Sequence, residues 1–330
     1  MPLTLVLNLN AATFSEDFSS EPLARGWRVF GDASLFGWSA AERALAVTWD
    51  SGRSNSYFFQ PLGTVLTKAD DFSLAFDLWL EDIAIGTTPG KPYTFQIALG
   101  FVGLRSVTAT NFFRAAGVHP AHGPRNVVEF DYFPDSGYGA TVAPTVISTN
   151  NRFRFSDNHP LEMAPGHRYH VEMMYTARDQ TLRTTMTRDG APFGLPPSQT
   201  LRALSLGAGG GLAEFPDFRV DAFAVCSYSD EGQGDPEFSG SILAHGFVDN
   251  IRFTVPEPPL RAVSGGFADG AWQVTFVGRS NWVYVLERTV DFVSWQPIAT
   301  NRPTAAGTVA LLDPVGGGSA VFYRIAAARP

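Results

Sequence analysis

Apolar and polar residues alternate with a period of two along most of this chain, the pattern of strands that bury one face. The clearest run is Phe72–Leu80, FSLAFDLWL, in which Phe72, Leu74, Phe76, Leu78 and Leu80 share a face. Similar runs predict strands over Ala44–Trp49, Thr94–Val102, Val127–Phe133, Arg168–Tyr175, Thr181–Arg188, Phe218–Cys226 and Gly246–Thr254. Helical periodicity is confined to Ser39–Leu45 and Thr110–Ala116, both too short to build a layer of helices. Turn signals such as Arg188-Asp189-Gly190 and Pro165-Gly166 join the strands closely, which predicts antiparallel neighbours in an all-β fold.

The pattern breaks at Val255-Pro256-Glu257-Pro258-Pro259, because a residue without an N–H cannot continue a central strand. That places a large domain over residues 13–254, a proline-rich linker over 255–261 and a small β-sandwich over 262–330. The small domain takes its strands from Ala271–Val277, Trp282–Glu287, Thr308–Leu312 and Ala320–Ala326. Residues 1–12 carry Leu3, Leu5, Val6, Leu7 and Leu9 and no basic side chain, and read either as the remnant of a signal peptide or as a first strand.

Composition narrows the function classes. With 24 Lys and Arg against 32 Asp and Glu, the net charge of −8 excludes a protein that binds nucleic acid through its phosphates. No apolar stretch is long enough for a membrane-spanning helix. The single cysteine, Cys226, excludes an intramolecular disulfide and a paired-thiol metal site, and its alternation with Ala224 and Ala222 predicts a buried core position. Gly86-Thr-Thr-Pro-Gly-Lys91 lacks the spacing of a phosphate loop, and no Gly-x-Ser-x-Gly elbow is present.

The run Val127-Val-Glu129-Phe-Asp131-Tyr-Phe133-Pro-Asp135-Ser-Gly137 resembles the metal-binding strand and loop of legume-type (L-type) lectins. The resemblance implies a concanavalin A-like antiparallel β-sandwich, or jelly roll, with calcium held by Glu129, Asp131, the Phe133 carbonyl and Asp135. Residues two apart on a strand project to one face about 6.6 Å apart, so the two carboxylates can share a site, and calcium takes six to eight oxygens. The family's second Asp and its His fall on Ala140 and Thr145, so no transition metal is expected. Gly166–Tyr175 with Thr181–Thr187 resembles the family's two-strand hairpin, and Phe218–Cys226 the strand leading into its specificity loop. The strand that carries a sugar-gripping Asp in the family corresponds to Tyr93–Gly100, which has no Asp. Tyr284–Glu287, Asp291, Trp295 and Phe322–Arg324 resemble the short C-terminal β modules of secreted bacterial proteins, which implies an extracellular or periplasmic location.

These readings converge on a secreted, non-catalytic carbohydrate-binding protein. A glycan or polysaccharide would lie on a concave sheet or its rim loops, against Trp79, Tyr132, Tyr138 and Asp135. Asp230 and Asp235 would join it from the acidic loop 230–237. The alternatives are an adhesion module that binds another extracellular protein, and a lyase or hydrolase on the same fold. A laminarinase-like hydrolase needs a second Glu where this strand has Phe133 and Pro134. A lyase could recruit Arg168 and His170 from one strand face, or His167 and Tyr169 from the other. Glu16-Asp17 and Asp249-Asn250 form a further candidate oxygen cluster if the first and last strands are neighbours. His119 and His122 lack a third metal ligand nearby.

Overall fold

The computed structural model describes residues 11–114, 125–134, 139–149, 154–156, 158–194, 199–201, 217–233, 239–256, 260–268, 270–279, 282–305, 307–314 and 321–328. It divides into two units, Met1–Pro256 and Glu257–Pro330. The first unit is built from β1 (Ala11–Glu16), β2 (Arg28–Phe30), β3 (Phe36–Ser39), β4 (Ala44–Asp50), β5 (Ser56–Leu66), β6 (Phe72–Ile85), β7 (Ile97–Val102) and β8 (Val127–Phe133), followed by β9 (Thr141–Ile147), β10 (Arg154–Ser156), β11 (Arg168–Thr176), β12 (Thr181–Arg188), β13 (Ala191–Pro192), β14 (Gln199–Thr200), β15 (Val220–Ser227) and β16 (Ile242–Pro256). A nine-stranded sheet runs β13–β12–β11–β6–β16–β4–β3, with β1 on β16 and β14 on β12. A seven-stranded sheet runs β10–β9–β8–β7–β15–β5–β2. The pairings are antiparallel throughout.

The two sheets pack face to face, and the alternation of β6 supplies one wall of the core. Phe72, Leu74, Phe76, Leu78 and Leu80 are all buried. Their rings meet the other sheet edge to face, Phe72 against Phe101 at 5.4 Å and Phe76 against Phe130 at 5.7 Å between centroids. Edge-to-face packing matches the electropositive ring edge to the electronegative face, which is how a Phe-rich chain fills a sandwich interior. This is the all-β, antiparallel two-sheet sandwich expected from the sequence.

Burial differs between the sheets in a way that matters for function. In β11 exposed and buried residues alternate, so the nine-stranded sheet has one face in the core and one in solvent. In β7, β8, β9 and β15 nearly every residue is buried, so the middle of the seven-stranded sheet is covered on both faces. The absence of a clean alternation explains why β5 and β9 are not marked by the pattern: β9 contains Pro144 and β5 contains Pro61. The helical period over Ser39–Leu45 forms no helix, because Ala44 and Leu45 are paired with Ser39 and Trp38 across a tight turn. Thr110–Arg114 is likewise not helical, and the one helical turn nearby is Leu104–Val107. Residues 115–116 of that expected segment lie outside the described residues.

The second unit has two three-stranded sheets, one of Arg261–Ala268, Ala271–Gly278 and Gly307–Asp313, the other of Gln296–Asn301, Val283–Thr289 and Phe322–Ala328. Val274, Phe276, Tyr284, Leu286, Val309 and Leu311 form its core. Buried Asp313 is held by Arg288 at 2.9 Å and by the Tyr323 hydroxyl at 3.0 Å.

Candidate functional site

Phe130 faces the core, so by alternation Glu129 and Asp131 of β8 point to the outer face of the seven-stranded sheet. They do share a site, as their spacing predicts, but the cation there is a side chain. Arg114 donates from Nε to Glu129 Oε1 at 2.6 Å and from Nη2 to Asp131 Oδ2 at 2.6 Å. The Tyr228 hydroxyl donates to Glu129 Oε2 at 2.8 Å. Arg114, Glu129 and Asp131 are each at most 1% exposed. Burial pushes the Glu129 carboxyl up to about 7 despite the nearby guanidinium. Burial alone would lower the Arg114 pKa, but Asp131 and Glu129 more than offset it and hold the guanidinium charged.

The segment carrying Arg114 lies over this face and closes it. Leu104 N–H donates to Asp221 Oδ1 at 2.8 Å, the Tyr57 hydroxyl to the Val107 carbonyl at 3.0 Å, and Asn55 Nδ2 to the Phe112 carbonyl at 3.2 Å. Val107 and Phe112 are buried. These residues do not fit calcium: both Glu129 oxygens and one Asp131 oxygen already accept hydrogen bonds, and a fixed positive charge sits between the carboxylates. Among the described residues no group of three or more His, Cys, Asp and Glu could hold a metal ion.

The other expected ligand residues separate. Tyr132 is 1% exposed and its hydroxyl is bonded to Met163, so its ring fills the core instead of facing a ligand. Asp230 is buried and accepts from Ser51 Oγ at 3.0 Å, Thr88 Oγ1 at 2.8 Å and Lys91 Nζ at 2.5 Å, which makes it a brace between loops. Asp135, Tyr138 and Asp235 lie outside the described residues, as do His119 and His122. β1 and β16 are neighbours, Glu16 opposite Ile251, yet the Glu16 carboxylate is taken by Arg25, by Trp27 Nε1 and by the Phe18 N–H. Cys226 is buried, as its alternation suggests.

Trp79 leads to the open face. The pairings of β11, β6, β16, β4 and β3 align Arg168, Trp79, Phe247, Ala46 and Gly37 in one row across the outer face of the nine-stranded sheet. The Trp79 ring lies between Phe247, stacked at 5.1 Å, and the Arg168 guanidinium, 4.1 Å from its centroid. Beyond Phe247 the row continues with two small residues, and a side-chain carbon built on Gly37 would meet nothing within 4 Å. The result is a strip of stacked rings that ends, past Phe247, in small residues and open space.

Polar groups flank the strip on both sides. On one, His170 Nδ1 is 2.7 Å from Asp77 Oδ1, and Asn250 Nδ2 donates to Asp77 Oδ2 at 2.8 Å. Asn250 has φ +48° within a β-bulge between Asp249 and Arg252, an uncommon conformation for a non-glycine residue that aims its amide at Asp77. Burial raises the pKa of neighbouring Asp249. On the other side, a second bulge brings Asp82 opposite His245, with Nδ1 2.8 Å from Asp82 Oδ1. Each imidazole, bonded through Nδ1, keeps Nε2 for a ligand. Sequence reasoning found Trp79 and paired Arg168 with His170, but missed Arg114, Asp77, Phe247 and His245. The alternation of β16 carried a signal, since His245, Phe247 and Asp249 are the outward positions of a run whose inward residues are apolar.

No family model matches the sequence, and no curated protein does. Among solved structures the chain is similar to a seed lectin of Lotus tetragonolobus, at 14% identity over 75% of this chain and 100% of that one, with a TM-score of 0.45. It is similar to lectin UEA-II complexed with galactose at 12% identity over 74% and 99%, TM-score 0.47. It is similar to peanut lectin at 13% identity over 73% and 98%, TM-score 0.41.

Proposed function

We propose that this chain is a non-catalytic carbohydrate-binding protein that takes a glycan on the solvent face of its nine-stranded sheet. The observation that carries the reading is the strip of Trp79, Phe247, Ala46 and Gly37 between two carboxylate-oriented histidines. A sugar ring has an apolar C–H face that packs on an aromatic surface and a rim of hydroxyls that need both donors and acceptors. The Phe247 ring beside Ala46 and Gly37 supplies the first; Arg168, Asn250, Asp77 and the two imidazoles supply the second. Among the described residues, β7, β8, β9 and β15 of the other sheet are buried on both faces and offer no such surface.

The test is a polysaccharide and glycan-array panel on the full chain, with calcium and with EDTA, while reducing ends and unsaturated products are monitored. Binding should be retained in EDTA with no new ends, and Phe247→Ala should weaken it by about tenfold or more. Binding that survives both Phe247→Ala and His245→Ala unchanged would sink this face as the site, and product formation would overturn the non-catalytic reading. A second reading, a protein-interaction module, is favoured by the second unit, where Val290, Phe292 and Val293 are 72%, 60% and 83% exposed on one loop. A silent glycan panel would move the assignment there.

A further inference from the structure

We infer that Arg114 is a built-in cation that does the work a bound divalent metal would do at Glu129 and Asp131, so that the covered face of the seven-stranded sheet is a metal-independent structural joint. Two carboxylates at adjacent outward positions of a strand, both withdrawn from water, cannot remain together without a compensating positive charge. The guanidinium provides it with directed donors, Nε and Nη2, that reach both groups at 2.6 Å. It also provides a tether, since it is covalently part of the segment that closes the face. That segment is positioned independently of the ion pairs: Gly103 N–H donates to the Asn126 carbonyl at 2.8 Å, and a side-chain carbon on Gly103 would come within 2.6 Å of the Arg219 carbonyl oxygen. Opposite Glu129 stands Gly100 on β7, which lets β8 approach closely there, since a side-chain carbon on it would lie 2.5 Å from Glu129 Cα. Tyr228 completes the arrangement, with its ring 5.6 Å from the Arg114 guanidinium carbon and its hydroxyl on Glu129. A metal ion would satisfy the carboxylates but would not bring residues 104–114 with it.

The inference does not depend on the glycan reading, because its test reads stability and metal content. The full chain, dialysed against EDTA, is melted with and without calcium beside Arg114→Met, Glu129→Gln/Asp131→Asn and the combination of all three. Calcium should leave the wild-type Tm unchanged, and metal analysis should find well under one ion per chain bound at this site. Arg114→Met should lower Tm by roughly 10 °C, because it strands two buried carboxylates. Neutralising those carboxylates in the same chain should recover more than half of that loss. If the triple variant melts as low as Arg114→Met alone, Arg114 acts through packing and the inference fails. A calcium-dependent rise in wild-type Tm that disappears in Glu129→Gln/Asp131→Asn would also overturn it. A rise that persists in that variant places calcium elsewhere and leaves the joint metal-free.

Discussion

Glu129 should make the sandwich less stable as pH rises, the reverse of an ordinary salt-bridged carboxylate. Burial holds its carboxyl at about 7 in the folded chain, against an ordinary value of 4.5. A folded state that keeps a proton which the unfolded chain has released loses stability with increasing pH. The loss begins near pH 4.5 and levels off near 7. At about 1.4 kcal/mol per pH unit, it totals about 3 kcal/mol. The perturbation that isolates it is Glu129→Gln, which keeps the shape and an oxygen for Arg114 but does not titrate. Urea unfolding of wild type and variant near pH 5 and near pH 8 yields two stability differences, in which the groups common to both proteins cancel. Between the two conditions the wild type should lose about 2 to 3 kcal/mol relative to the variant. A difference that does not change with pH would mean that Glu129 is ionised throughout and that Arg114 outweighs burial.

Tyr228→Phe removes the hydroxyl that donates to Glu129 and should cost about 1–3 kcal/mol, with the larger loss near pH 8 where the carboxylate is ionised; an equal loss near pH 5 would contradict that order. Gly100→Ala would place a carbon 2.4 Å from the Val128 carbonyl oxygen and 2.5 Å from Glu129 Cα, and should cost about 1–3 kcal/mol in urea unfolding. Wild-type stability in that variant would show that β7 and β8 part at no cost. Lys91→Met leaves the buried Asp230 carboxylate with hydroxyl donors alone and should lower Tm by several degrees, about 1–3 kcal/mol; no change would remove Asp230 as a brace.

Much of the fold is legible in the sequence because burial on one face imprints a period of two. Val127–Phe133 and Thr181–Arg188 are strands over the residues the pattern marks, and Phe72–Leu80 builds a core wall from the five residues it predicts. What sequence reasoning misplaced depends on contacts far along the chain. Arg114 lies 15 residues from Glu129 and 17 from Asp131, in a segment whose helical periodicity forms no helix, and nothing local marks it as their counter-ion. Asp77 meets His170 across 93 residues and Asn250 across 173, and only the register of three strands brings them together. Tyr132 was misjudged for a different reason: its parity puts it on the Phe130 face, and that face is the core.

The two outer faces also show how the site and its cover can be told apart from strand patterns in a two-sheet sandwich. A sheet with a free face must present polar residues at every second position, as β11 does with Arg168, His170 and Glu172 outside and Tyr169, Val171 and Met173 inside. A sheet covered on both faces has no such need, and its strands become continuous apolar runs such as Ile97–Val102. Glu129 and Asp131 alternate with Phe130 and Tyr132 in sequence, as on a strand with a free face, yet β8 is buried on both faces. That burial argues against an open ligand site, because charges embedded in a doubly buried strand must be neutralised from within the protein. A metal open to solvent suits carboxylates on a strand with a free face; an arginine from a covering segment suits carboxylates on a strand covered on both faces. The carboxylate pair of β8 thus belongs to a closed face, and the open face is that of the nine-stranded sheet, where Trp79, Phe247, His170 and His245 lie.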